Sequence, residues 1–109
     1  MERYTITKQA VKDLVARVVR KMGVVRLLPL KKGFLSRSSR DELRIWVRFR
    51  GYNQVDIRMD VEVRNGEKLP ETMDKISQSV RSELKKICAL ELREIKITVR
   101  GLYEEELSE

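Results

Sequence analysis

Arg44, Trp46, Arg48 and Arg58 are the residues of this 109-residue chain whose types and spacing could do chemistry. The first three stand two apart, so in an extended segment they share one face, and Arg58 joins them if the chain turns back as a hairpin. Guanidinium groups around an indole can hold an anion by charge and a planar group by stacking. They can equally shield a flat apolar side chain, alone or against a second subunit, and that is the plainer reading. Four further cations, Lys31, Lys32, Arg37 and Arg40, lie in the segment KKGFLSRSSR and extend the candidate interaction surface.

Other chemistry is hard to find. The chain has no histidine, which removes Ser–His and Cys–His catalysis and Cys/His zinc sites. Its one cysteine, Cys88, has no partner for an internal disulfide. Cys88 follows Lys85 and Lys86 near the end of a helical pattern, where a helix C-terminus and apolar neighbours disfavour the thiolate, so it reads as filler at the core edge. Asp56 and Asp60 fall among arginines, and ion pairing lowers a carboxylate pKa and makes it a poor proton donor at neutral pH. No catalytic residue, cofactor or metal is expected, and the protein is not expected to be an enzyme.

The net charge of +7 is unevenly placed. From Arg17 to Arg50 there are eleven Lys or Arg against Asp41 and Glu42, a local +9, while the rest of the chain sums to −2. Such a block suits an anionic partner, whether nucleic acid, a lipid surface or an acidic protein. No apolar run approaches the roughly 20 residues of a membrane span, and Met1-Glu2-Arg3-Tyr4 has no signal-like apolar stretch, so a cytoplasmic protein is expected. The length suits one domain, residues 1–109, with a basic loop at 31–41 and an acidic tail at 102–109.

The elements that must position these residues are legible in turn. Tyr4 and Ile6 would share one face of a short strand over Arg3–Ile6. Thr7 fits a helix N-cap, Val11, Leu14, Val15, Val18 and Met22 form an apolar stripe, and Gly23 ends the helix. Val24–Leu30 is either a short strand or a buried connection. Lys31–Arg40 has loop composition; Phe34-Leu35 within it could clamp onto the core or form an exposed apolar tip, and its serines could accept a modification.

Leu43–Arg50 and Val55–Arg64 alternate apolar and polar residues around Gly51-Tyr52-Asn53, a β-hairpin. A three-residue loop sets Arg48 opposite Asp56, Trp46 opposite Arg58 and Arg44 opposite Asp60, whereas a five-residue loop opposes Arg48 to Arg58. Like charges opposed across strands are unfavourable, so the short loop is expected. Asn65-Gly66 supplies a turn, Pro70 a first helical position, and Met73, Ile76, Val80, Leu84 and Ile87 one apolar stripe. Ile95, Ile97 and Val99 then alternate as a closing strand. Tyr103 and Glu104-Glu105-Glu106 either fray or fold back onto basic surface.

The fold class expected is α+β, in the order β-α-(variable loop)-β-β-α-β, with one mostly antiparallel sheet and both helices packed on one face. Leu43, Ile45, Val47, Ile57, Met59, Val61, Ile95, Ile97 and Val99 should then face Val11, Leu14, Val18, Met73, Ile76, Val80 and Leu84. The other face, carrying Arg44, Trp46, Arg48, Arg58, Asp60 and Lys96, should stay open.

The turn, LPE, long helix and LELREIKITVRGL resemble the closing half of the alkaline-shock-protein family of envelope stress proteins. YTITKQAVKDLVARVVRKMGVV is similar to that family's opening pattern of strand, polar cap, helix and Gly-Val exit. The resemblance covers most of the chain outside roughly residues 26–41, and it supplies no catalytic constellation. It implies a non-catalytic scaffold or interaction protein of cell-envelope homeostasis or stress response. It further implies protein partners, among them a small membrane-anchor protein, self-assembly into homo-oligomers, and a cytoplasmic location peripheral to the membrane through a partner. The alternative that the residues themselves leave open is single-stranded RNA or other nucleic-acid binding at the basic surface and open sheet face. Against it, there is no Gly-x-x-Gly clamp, and the inner strands lack a pair of stacking aromatics.

Overall fold

The computed structural model describes residues 4–30 and 42–105. Its elements are α1 (Lys8–Met22), β1 (Val25–Leu27), β2 (Ile45–Arg50), β3 (Gln54–Arg64), α2 (Leu69–Glu83), a π-helical turn (Leu84–Cys88) and β4 (Glu91–Tyr103). This is an α+β fold, with two helices over one four-stranded sheet.

The first strand lies elsewhere than expected. Tyr4–Thr7 are not strand; they lead directly into α1, with Ile6 half-buried against the core. The strand is instead β1, beyond α1, which settles the ambiguous Val24–Leu30 segment. Val25 and Leu27 pair antiparallel with Val63 and Val61, and a bridge at Pro29–Leu43 carries the chain towards β2. The expected basic loop, with Lys31, Lys32, Phe34, Leu35, Arg37 and Arg40, lies outside the described residues.

β3 is central because three strands pair with it and a strand has only two edges. β4 takes one edge along the full length of β3 in parallel. β2 and β1 share the other, antiparallel, against residues 54–59 and 61–63 respectively. Two of the three pairings are thus antiparallel. The parallel one requires a crossover, which α2 supplies. The hairpin has the short-loop register, with Arg48 opposite Asp56 and Trp46 opposite Arg58.

α1 starts where Thr7 accepts a hydrogen bond from the Ala10 N–H at 3.1 Å and ends at Gly23, whose φ of 72° is the left-handed region that suits glycine. Its buried face, Val11, Leu14, Val15, Ala16, Val18 and Val19, is wider than one stripe because α1 packs on β1, β2 and α2 together. Met22 is half-buried at its margin. In α2, Leu69 takes the first position and Pro70 the second, where a missing N–H is equally harmless. All nine expected strand residues meet the core, six of them as half-buried or buried members of β2 and β3 or the bridge, and Ile95, Ile97 and Val99 half-buried on β4.

Ile87 departs from its expected stripe. Ile76, Val80 and Leu84 are buried, but the turn after Leu84 is wound as a π-helix, and that wider winding swings Ile87 out to 53% exposure. The turn ends at Ala89, an exposed residue with φ 55°. A Cβ in this region costs roughly 1–2 kcal/mol. Ala89→Gly should therefore raise the thermal midpoint by about 4–8 °C. An unchanged or lower midpoint in a calorimetric scan would show that this turn carries no such strain.

Candidate functional site

The face of the sheet turned away from the helices carries the expected cluster, because β2 and β3 bury alternate residues, except at the end of β2, where Phe49 is 38% exposed. Trp46 is half-buried, and the Arg58 guanidinium lies over its ring at 4.4 Å from the centroid. Arg48 is exposed, and neither it nor Lys96 has an acidic partner among the described residues. Trp46, Arg48, Arg50, Asp56, Arg58, Glu94 and Lys96 line a shallow depression of about 350 Å³.

Arg44 plays a different part. Its Nη1 lies 3.7 Å from Asp60, its Nε donates to the Pro29 carbonyl at 3.1 Å, and it thereby fastens the junction of β1 and β2. Of the three cross-strand charge relations expected, the Arg44–Asp60 pair forms, and Trp46 with Arg58 becomes a cation–π contact. Arg48 and Asp56 stand opposite but do not bond. Asp56 is held instead by Arg50 Nε at 2.8 Å and Arg93 Nη1 at 3.0 Å.

The arginines missed by sequence reasoning sit at two β-bulges. The β3–β4 register shifts between Val55 and Asp56 and again between Val61 and Glu62, leaving Arg93 and Arg100 as the extra residues of β4. Each reaches an aspartate of β3, Arg93 to Asp56 and Arg100 Nε to Asp60 at 3.2 Å. A bulge re-aims the side chain it inserts. A signal was present in the chain: apolar residues fall on even positions at Leu90 and Leu92, on odd ones at Ile95, Ile97 and Val99, and on even again at Leu102. Each change of parity marks one inserted residue.

Partial burial pushes the Asp56 carboxyl upward, but the hydrogen bond from Arg50 and the charges of Arg93 and Arg50 outweigh it and hold the pKa below the ordinary carboxylate value. A lowered carboxylate stabilises the fold above its unfolded pKa, and that contribution fades as pH falls through the folded value. Asp56 is thus a fixed anion on this face at neutral pH. Burial pushes the Cys88 thiol up, away from the thiolate form.

The first residues of the expected acidic tail, Glu104 and Glu105, are tied to the end of β3, and residues 106–109 lie outside the described residues. Asn65 N–H donates to the Tyr103 carbonyl at 2.8 Å, Asn65 Nδ2 to Glu104 at 2.6 Å, and Arg64 Nη1 to Glu105 at 3.3 Å. β4 runs on through Tyr103, whose ring lies under Arg26 at 3.9 Å. Among the described residues there is no cluster of metal-ligating side chains and no helix long and apolar enough to cross a membrane.

The fold and this face define a small α+β module with one helix-covered and one cation-rich sheet surface. The chain belongs to the alkaline-shock-protein family, whose family model, described by a cell envelope-related function, matches residues 2–104. No curated protein and no solved structure matches it.

Proposed function

We propose that this protein is a non-catalytic interaction module of the cell envelope, docking a protein partner through the open sheet face around Trp46. The observation that carries the reading is the half-buried indole under Arg58 in a shallow depression, set beside Arg48 and Lys96, which have no acidic partner among the described residues. An aromatic anchor rimmed by cations is the composition of a protein contact. The family's envelope role supports a partner held at the inner face of the membrane, such as a small anchor protein, with this chain peripheral to it. The two aspartates of this face, Asp56 and Asp60, are arginine-paired, which suits binding better than proton transfer.

Single-stranded RNA fits this face less well, because Arg58 already covers the indole face that a base would need. In cells, Trp46→Ala should leave the envelope fraction while its thermal midpoint moves by less than about 5 °C. RNA binding to the wild type should vanish by about 0.15 M salt, since phosphate contacts alone are strongly salt-dependent. Retention of the variant at the envelope sinks the docking reading. RNA affinity that survives this salt and weakens about tenfold or more in Trp46→Ala replaces it with the nucleic-acid one.

A further inference from the structure

β4 is the longest strand of the sheet, and among the described residues only its β3 side is paired. An open strand edge presents a row of backbone donors and acceptors, which proteins either block or pair with another chain. Here the blocking is confined to the ends. The bulges lie at Arg93 and Arg100, and Arg81 Nη1 caps the Leu92 carbonyl at 2.9 Å. Between them Glu94–Val99 is regular. Its core-side residues Ile95, Ile97 and Val99 are only half-buried, whereas their β3 neighbours Ile57, Met59 and Val61 are buried. Apolar side chains left half in water along an open edge are what one more strand would cover.

The residues of β4 specify which strand. Placed antiparallel to itself with the two-fold axis at Ile97, the strand sets Ile97 against Ile97, Ile95 against Val99, and Glu94 against Arg100, the last two pairs occurring twice. Beyond the bulges Leu92 meets Leu102, which is 56% exposed in the single chain. Moving the axis to Lys96 opposes Lys96 to itself, and moving it to Thr98 opposes Lys96 to Arg100. An axis at Ile95 sets Arg93 against Ile97 and Leu92 against Thr98. Any half-step exchanges the two faces of the sheet. Glu94 has no ion-pair partner among the described residues. Arg100 engages Asp60 through Nε, and its side chain stays 56% exposed, leaving its Nη groups for a second carboxylate.

We infer that a second copy of this chain pairs through β4, antiparallel about Ile97, to make one continuous sheet across the two copies. The interface borders the Trp46 depression at Glu94 and Lys96, but it is made by the backbone edge of β4 and does not rest on the docking reading. Its consequence is that two open faces become one surface carrying two Trp46 anchors, so that a divalent or clustered partner binds with a gain in effective concentration.

Sedimentation and cross-linking of the full chain test this. The wild type should sediment as a dimer at submillimolar concentration. Glu94→Arg, which sets like charges opposite each other at both ends, should weaken the dimer by about tenfold or more. Trp46→Ala should leave it intact. In a Cys88→Ala background, Ile97→Cys should form an intermolecular disulfide on mild oxidation and Thr98→Cys should not, because only position 97 meets itself across the axis. A wild type that stays monomeric overturns the inference, as does a dimer indifferent to Glu94→Arg. Dissociation by Trp46→Ala, with no cross-link at position 97, places the contact on the open face and overturns it too.

Discussion

Met59→Ala should lower the unfolding free energy by about 3 kcal/mol and the thermal midpoint by about 12–20 °C. Met59 is fully buried at the middle of β3, the strand that holds every other strand. Ile45 stands beside it on β2 and Ile97 on β4, so the three make one apolar row across the sheet beneath the helices. Removing the thioether deletes the centre of that row, and its neighbours are pinned by the backbone ladders on both sides, so collapse into the space is restricted. Ile97→Ala, at the half-exposed end of the same row, should cost less, about 1–2 kcal/mol in the monomer. Urea unfolding with unchanged m-values checks both. A Met59→Ala cost no larger than that of Ile97→Ala would mean that the core is organised around something other than this row.

That row was legible in the chain because alternation over β2 and β3 is long and uninterrupted, and the hairpin register followed from which charges the turn would oppose. Alternation stops being a guide where the period changes. Arg48 was matched with Asp56 on hairpin geometry alone, but a residue of a strand some 37 positions later, Arg93, enters through a bulge and takes that carboxylate with Arg50. Local pairing rules have no knowledge of a third strand. The same holds at Ile87, where the helical period was sound and the π turn broke it. At the N-terminus, the alternation of Tyr4 and Ile6 is too short to compete with the pairing that Val25 and Leu27 gain beside Val63 and Val61. The candidate site was legible as a composition, arginines around one tryptophan. Its division of labour was not, since Arg44 turns out to secure the sheet while Arg48 and Arg58 stay at the surface.

Replacing both Arg44 and Arg100 by alanine should destabilise the fold by about 3 kcal/mol or more, whereas Asp60→Asn should cost about 1 kcal/mol. Asp60 is 5% exposed, and its carboxylate is shared by Arg44 at 3.7 Å and Arg100 at 3.2 Å. The two sides of this contact differ in what they lose. Without Asp60 the arginines, with side chains 27% and 56% exposed, keep most of their hydration. Without the arginines the carboxylate is left nearly dry and without counter-charge, and desolvation of an unpaired ion is the larger penalty. Adding Asp60→Asn to the double variant should therefore recover much of its stability, a non-additivity that identifies the buried charge as the cause. The Arg44 side chain also donates to the Pro29 carbonyl, so Arg44→Ala alone should cost more than Arg100→Ala alone. Equal and additive losses in the five variants would mean that Asp60 is solvated in spite of its position. The asymmetry bears on the open face itself: the single Asp60 carboxylate is taken up by the two arginines that hold the strands together, and Arg48 and Lys96 have no acidic partner among the described residues.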